Sequence, residues 1–277
     1  MTTMNKKNIG IPVLMYHHVN PQGNFINVTP RNFEAHMRYL HRHGFTTLHT
    51  GEMLSILLGH TAPPKKPVMI TFDDGWLDNW VYAFPAMKKY GIKAAIFVIT
   101  SLIPGNGRRM RSDEGDVPVL PEHRACQHLV DAGGASEVML SWEELREMAD
   151  SGLVEIQSHT HTHQRYDKLY TDREKRKDVL KQELKTSKEI IEEKLGMACD
   201  AICWPWGKYH REYVEVARSL GYRLMFTTEK GTNTHGTEPW RIQRITIGDI
   251  GVFTFWKKLL IYSHAHLSRV YLNVFKR

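Results

Sequence analysis

Val68-Met69-Ile70-Thr71-Phe72-Asp73-Asp74-Gly75 is the stretch on which the fold turns. Five apolar or β-prone residues make a buried-strand pattern, and it stops abruptly at two carboxylates and a glycine. Upstream, Ile11 to Tyr16 reads as a strand ending on His17 and His18. Thr29 is placed to cap a helix with Pro30 at its first position, which carries Phe33, Met37 and Leu40 on one face as far as Gly44. Residues 45–48 are β-prone, and Thr50 caps a short helix to Gly59. Downstream, a helix of roughly Asn79 to Tyr90 ends at Gly91, and the apolar run 93–100 is the next strand.

Strands and helices keep alternating. Ser141-Trp142-Glu143-Glu144 is a capping box opening a helix that closes near Gly152, and 153–159 is a strand ending in polar residues. The charged stretch Asp172 to Lys194 repeats Leu180, Leu184, Ser187, Ile191 and Leu195 at helical spacing, a solvated helix with one buried stripe. Strands follow at 201–203, 222–227 and 241–247, with a helix at about 212–220. Residues 101–139 break the rhythm with Gly, Pro and charge, and read as an insertion in the position of a lid. No composition shift divides residues 1–251, so the expectation is one α/β domain with a parallel sheet or barrel, and its ligand at the C-terminal ends of the strands. No glycine-rich phosphate loop follows a strand.

The 277 residues carry a formal charge of +7 and are 42% hydrophobic, enough for a real core, which excludes a disordered chain. No apolar run reaches the ~20 residues of a spanning helix. The segment Met1 to Gly10, with Asn5, Lys6, Lys7 and Asn8, has neither a hydrophobic leader nor a small-residue cleavage site, so the expected location is cytoplasmic. Cys126, Cys199 and Cys203 form no paired pattern and read as reduced thiols.

The chemistry gathers where strands end. The bland reading is that Asp74-Gly75 only makes the turn; two adjacent acids at a site mouth, Asp73 and Asp74, repel each other unless a cation takes one of them. Ser158-His159-Thr160-His161-Thr162-His163 supplies what a cation wants. A helical turn or tight loop would converge His159 and His163; an extended strand would align His159, His161 and His163. One aspartate with two histidines leaves coordination positions open, as a catalytic ion requires.

The pairing of Thr71-Phe72-Asp73-Asp74-Gly75 with Ser158-His159-Thr160 and His163 resembles the polysaccharide deacetylases of the NodB-homology type, carbohydrate esterase family 4, over roughly residues 10–250. The resemblance implies a distorted (β/α) TIM-like barrel that hydrolyses N-acetyl groups on amino sugars. It implies Asp73 as general base and Asp74, His159 and His163 as ligands of a divalent metal, most simply zinc; His161 matches no family ligand. Cys203-Trp204-Pro205-Trp206-Gly207 matches the family's third motif, implying a groove-lining and oxyanion-holding role for Trp206 beside Pro205, with Cys203 where the family has arginine. Branches similar to the poly-N-acetylglucosamine deacetylases lack that arginine too. The early Tyr16-His17-His18-Val19 resembles their acid-bearing segment, which falls on His17, with His18 the alternative and the terminal His264 and His266 poorly placed. Arg244 resembles a late arginine that orients the base; a surface salt bridge is the competing reading.

Residues 252–277 hold five Lys or Arg and no acid. On a helical wheel Trp256, Leu259, Leu260, Leu267, Val270, Tyr271 and Val274 share a face opposite Lys257, Lys258, Arg269 and Lys276. This basic amphipathic helix suits either an anionic membrane surface or packing on the barrel. The expected activity is metal-dependent N-deacetylation of an amino sugar, lipid-linked or membrane-associated. The alternatives are a soluble polysaccharide such as poly-N-acetylglucosamine, or a noncatalytic glycan-binding module. The charge is too dispersed for a nucleic-acid binder.

Overall fold

Alternation along the strands sorts their side chains into two cores. The computed structural model describes residues 9–105, 107–118 and 120–275, so the readings on Asn5 to Asn8 and on Lys276 and Arg277 lie outside the described residues. The strands are β1 (Val13–Tyr16), β2 (His18–Val19), β3 (Asn27–Val28), β4 (Thr46–Thr47), β5 (Pro67–Phe72), β6 (Ala94–Val98), β7 (Val154–Ser158), β8 (Ala201–Cys203), β9 (Leu224–Lys230) and β10 (Ile242–Thr246). The order β1-β10-β9-β8-β7-β6-β5 is parallel throughout and closes where β1 pairs back onto β5, Leu14 opposite Ile70. The short β4 extends the sheet beyond β5, and β2 pairs only with β3. The expected (β/α) barrel is therefore the observed one.

Val13, Met69, Ala95, Phe97, Phe226 and Ile242 fill the barrel, while Leu14, Ile70, Ile96, Ile156 and Ile202 face the outer helices. Both faces of each strand are buried, which is why the strands read as apolar runs rather than as alternating ones. The Phe97 and Phe226 rings meet at 4.9 Å inside the barrel, so Phe97→Ala would cost about 3–5 kcal/mol. Helix Thr50–Leu57 plugs the end where the strands begin, with Met53, Leu54 and Leu57 in the interior core. Its cap differs from expectation. His49 is the N-cap residue, and Thr50, already helical, gives its hydroxyl to Glu155 at 2.9 Å.

Other elements follow their local chemistry. Thr29 caps Pro30–Arg42 by accepting the Asn32 N–H. Ser141 and Glu144 close their capping box at Trp142–Asp150, and Arg173–Leu195 buries Leu180, Leu184, Ser187 and Ile191. The helix expected over 79–90 is instead a π-helical turn, Asn79–Ala83, joined to Phe84–Tyr90. Pro85 has no N–H for the Val81 carbonyl, which accepts the Ser112 N–H at 3.0 Å instead.

The described residues of 101–139 hold more regular structure than their composition suggests. They contain helices His123–Asp131 and Ala135–Val138. Arg109 binds Glu144 through Nε at 2.8 Å and Nη2 at 2.5 Å and also donates to the Ser136 and Met139 carbonyls; Arg111 reaches Glu147 at 2.6 Å. These bonds tie Arg109 and Arg111 to helix Trp142–Asp150.

The C-terminal segment is two helices, Val252–Tyr262 and Ala265–Phe275, not one. The first turns Phe255, Leu259 and Tyr262 into the core. Phe253, Trp256, Leu260, Leu267, Val270 and Val274 are exposed, so the apolar face of the single wheel is divided between barrel and solvent. No helix among the described residues is long and apolar enough to cross a membrane.

Candidate active site

Every barrel strand delivers its C-terminal end to one mouth. His17 follows β1, Asp73 and Asp74 follow β5, His159 follows β7, and Trp204 follows β8. All of them line one cavity of about 600 Å³, together with His163 and Trp206.

Getting the side chains to converge requires unusual backbone. Asp74, Thr160, His163 and Trp206 all have positive φ, at 75°, 68°, 57° and 59°, and among described non-glycine residues only Lys66 shares that property. L residues rarely sit there, and such strain concentrates at functional sites. At Gly207, φ is +66° and a Cβ would lie 2.0 Å from the Thr228 hydroxyl, so the turn that presents Trp206 requires glycine.

The tight loop of the two readings of the histidine cluster is the one observed. His163 returns beside His159, ring centroids 4.7 Å apart, with its N–H on the Thr160 hydroxyl. Asp74 Oδ1 lies 3.4 Å from His159 Nε2 and 3.8 Å from His163 Nε2. His159 Nδ1 donates to the Cys203 carbonyl at 2.8 Å, leaving Nε2 to face Asp74, and Trp76 Nε1–H fixes the other Asp74 oxygen at 2.9 Å. One oxygen and two imidazole nitrogens within 4.8 Å of one another, each oriented by a neighbour, fit a divalent cation. His161 turns away to the Thr100 hydroxyl. Burial opposes charge on Asp74, but the His159 hydrogen bond and the nearby His17 and His163 hold its pKa well below the usual range. His163 is pushed down to about 4, by burial and then by His159.

Asp73 has other partners. Arg244, 1% exposed, grips it through Nη1–Oδ1 at 2.7 Å and Nη2–Oδ2 at 2.8 Å, and Nη2 also lies 2.9 Å from the Cys203 sulfur. The surface salt bridge considered for Arg244 is thereby replaced by a buried fork. Burial would raise the Asp73 pKa; Arg244 outweighs it and holds the carboxyl below the ordinary value. Burial pushes the Cys203 thiol up, so it meets Arg244 as a neutral group. Cys203 also completes a second cluster with Asp73 and His159, but Arg244 already occupies both oxygens of Asp73.

The two adjacent histidines diverge. His17 faces the cavity with Nε2 3.9 Å from Asp73 Oδ2, and burial lowers its pKa against the pull of Asp73 and Asp74. His18 is fully buried on Asp78 at 2.6 Å. His264 caps back on the Leu260 carbonyl in the C-terminal helical pair. Trp206 is 59% exposed with its ring 5.6 Å from that of His163, whereas Pro205 is buried, leaving Trp204 and Trp206 to form that wall. His123 and Gln127 of the 101–139 stretch also line the cavity. Sequence reasoning missed them; the one signal was Glu122, whose carboxylate caps their helix.

Comparisons with known proteins agree with this geometry. A family model described as polysaccharide deacetylase matches residues 60–225. YxkH of Bacillus subtilis, assigned to the polysaccharide deacetylases, is 31% identical over 237 residues, which are 86% of this chain and 71% of YxkH. A poly-β-1,6-N-acetyl-D-glucosamine N-deacetylase of Staphylococcus epidermidis is 24% identical across 84% of this chain and 72% of its own length. Among solved structures, the deacetylase PplD of Streptococcus pyogenes, in complex with acetate, superposes with a TM-score of 0.72 at 25% identity, covering 91% of this chain and 99% of PplD. With the parallel barrel, the paired aspartates and the two converging histidines all in place, this chain belongs to the polysaccharide deacetylase family and is a carbohydrate deacetylase, a hydrolase of amide bonds.

Proposed function

We propose that the protein removes N-acetyl groups from N-acetylglucosamine units of a glycan polymer, with a divalent ion, most simply zinc, held by Asp74, His159 and His163. The observation that carries this is the division of labour between adjacent carboxylates: Asp74 faces two imidazole nitrogens, while Asp73 is held by Arg244. A divalent cation there supplies Lewis acidity, which activates water and polarises an amide carbonyl at neutral pH. Arg244 keeps Asp73 ionised and oriented, so Asp73 is the base that takes a proton from water. Water oxygen adds to the acetyl carbon, and the backbone N–H of Trp206 stabilises the oxyanion that forms. His17, neutral at rest and 3.9 Å from Asp73, takes that proton through one intervening water and gives it to the departing amine as the C–N bond breaks. Acetate and a free amino sugar leave. The exposed Trp206 ring offers a flat apolar platform for a sugar face.

The expectation of a lipid-linked sugar gives way to a polymer as the favoured substrate, because the Staphylococcus epidermidis relative is named for a polymer. A membrane role, and with it a place on the inner membrane face, rests on one observation: Phe253, Trp256 and Leu260 are exposed on a helix that also carries Lys257 and Lys258. The test is release of acetate from β-1,6-linked N-acetylglucosamine oligomers, followed by mass loss per sugar, with and without anionic phosphatidylglycerol vesicles. Acetate release unaffected by vesicles supports the polymer; no release from any oligomer, with lipid-linked N-acetylhexosamine deacetylated instead, favours the membrane reading.

A further inference from the structure

Packed on Trp76, whose indole N–H binds Asp74, a chain of buried polar side chains runs to the cavity without a part in the chemistry above. Asp78, 3% exposed, is pinned by Asn20 Nδ2 on Oδ2 at 3.3 Å and by Asn79 Nδ2 on Oδ1 at 3.0 Å. His18 Nδ1 lies 2.6 Å from Asp78 Oδ2, and His18 Nε2 lies 3.0 Å from His123 Nδ1. His18 is fully buried and stacks on Trp76, centroids 4.5 Å apart and planes at 26°; His123 meets the same indole edge-on at 5.9 Å. His123 is the first residue of helix His123–Asp131 and lines the cavity. Its Nε2 has no hydrogen-bond partner among the described residues.

Such a chain is a poor way to gain stability. Buried charge and imidazole replaced by apolar groups of equal volume are often no worse for the fold. What the chain does fix is direction. A carboxylate can only accept, so His18 carries its proton on Nδ1. With one proton on each ring, His18 Nε2 then accepts from His123 Nδ1–H. His123 Nε2, on a side chain that lines the cavity, is then left as a lone pair.

We infer that His123 is a specificity residue that accepts a hydrogen bond from a ring hydroxyl of the amino sugar being deacetylated, with His18 and Asp78 as positioning residues. This rests on the deacetylase reading and adds to it a polar contact to the sugar from the helix His123–Asp131. A donor rather than an acceptor is what the site demands, which selects a hydroxyl over a carboxylate or phosphate. The buried chain loses a partner whenever the substrate lacks that hydroxyl, so discrimination against the deoxy sugar is strong.

Two measurements on the full-length, metal-loaded protein test this. In the imidazole ¹⁵N–¹H spectrum at pH 8, His123 carries its proton on Nδ1; a proton on Nε2 overturns the inference, and this readout needs neither substrate nor variant. In the second, acetate release from N-acetylglucosamine oligomers is compared with release from monodeoxy analogues, for wild type and His123→Phe. Wild type loses about tenfold or more in kcat/KM against one analogue, and His123→Phe loses the same factor on the parent sugar, mainly through KM, while no longer distinguishing the two. Equal discrimination by both proteins, or an unchanged KM in His123→Phe, overturns it. If wild type releases no acetate from any of these sugars, the deacetylase reading has failed, and the spectrum still decides the orientation of His123.

Discussion

The two walls of the cavity are built by different means. One wall is made of strand ends: Asp73, Asp74, His159 and Arg244 stand on or just past β5, β7 and β10, where ladder hydrogen bonds fix the backbone up to the last residue. The other is made of irregular chain: His123 and Gln127 ride on the short helix His123–Asp131, where His123 bonds the buried His18 on Asp78. The strand wall has geometry set by the barrel and so carries the groups that must converge to within a few tenths of an ångström. The helical wall carries what shapes and reads the substrate. Changes in the first should remove chemistry while leaving the fold; changes in the second should alter substrate choice or stability while leaving the chemistry.

The largest effect expected is from emptying the strand wall. A His159→Ala, His163→Ala double variant should lose its divalent ion by elemental analysis and all measurable acetate release, with the far-ultraviolet spectrum unchanged. His161→Ala, whose ring bonds Thr100, should keep both. Full metal occupancy in the double variant would break the comparison at its first step.

Arg244→Leu should be nearly as damaging for a different reason. Removing one half of a buried ion pair leaves Asp73 uncompensated, at a cost of about 3–5 kcal/mol in urea unfolding. Because the folded pKa of Asp73 is depressed, the pair's stabilisation is complete above the unfolded value of 3.8 and is lost as pH falls through the lower folded value. In Arg244→Leu that acid-side loss should vanish, and the acid limb of kcat/KM should move to higher pH as Asp73 becomes easier to protonate. An unmoved limb would detach Asp73 from the base role.

The strand-end His17, which follows β1, and the buried His18 of the helical wall should differ in kind. His17→Ala should cost more turnover than His18→Phe, since His17 faces Asp73 while His18 faces Asp78. The reverse order would mean that the two walls share the acid. Smallest of all, Ser141→Ala removes the cap of helix Trp142–Asp150 and the 2.6 Å bond to the Gly107 carbonyl that helps anchor the wall. It should lower stability by about 1 kcal/mol and change kcat less than twofold.

The same contrast explains what could be read in advance. Asp73, Asp74, His159 and His163 were legible because buried apolar runs stop dead at polar residues, and parallel strands bring all such stops to one mouth. The burial of Arg244 was not, because an arginine inside an apolar strand looks the same whether it faces solvent or a carboxylate 171 positions away. The His18–Asp78 and His18–His123 contacts join residues 60 and 105 positions apart with no repeating interval, so periodicity carries no trace of them. The helix at His123–Asp131 hides among glycine, proline and charge, and the break at Ser263-His264 contains neither glycine nor proline to announce it.

The most direct single measurement is the metal content of Asp73→Asn and Asp74→Asn, taken alongside acetate release from a β-1,6-linked N-acetylglucosamine oligomer. Asp73→Asn should keep about one divalent ion per chain and lose roughly 10²–10⁴ in turnover, and Asp74→Asn should lose both ion and turnover. If the two variants behave alike, retaining both the ion and the activity, neighbouring carboxylates do not divide metal binding from proton transfer, and the chemistry lies elsewhere on the barrel.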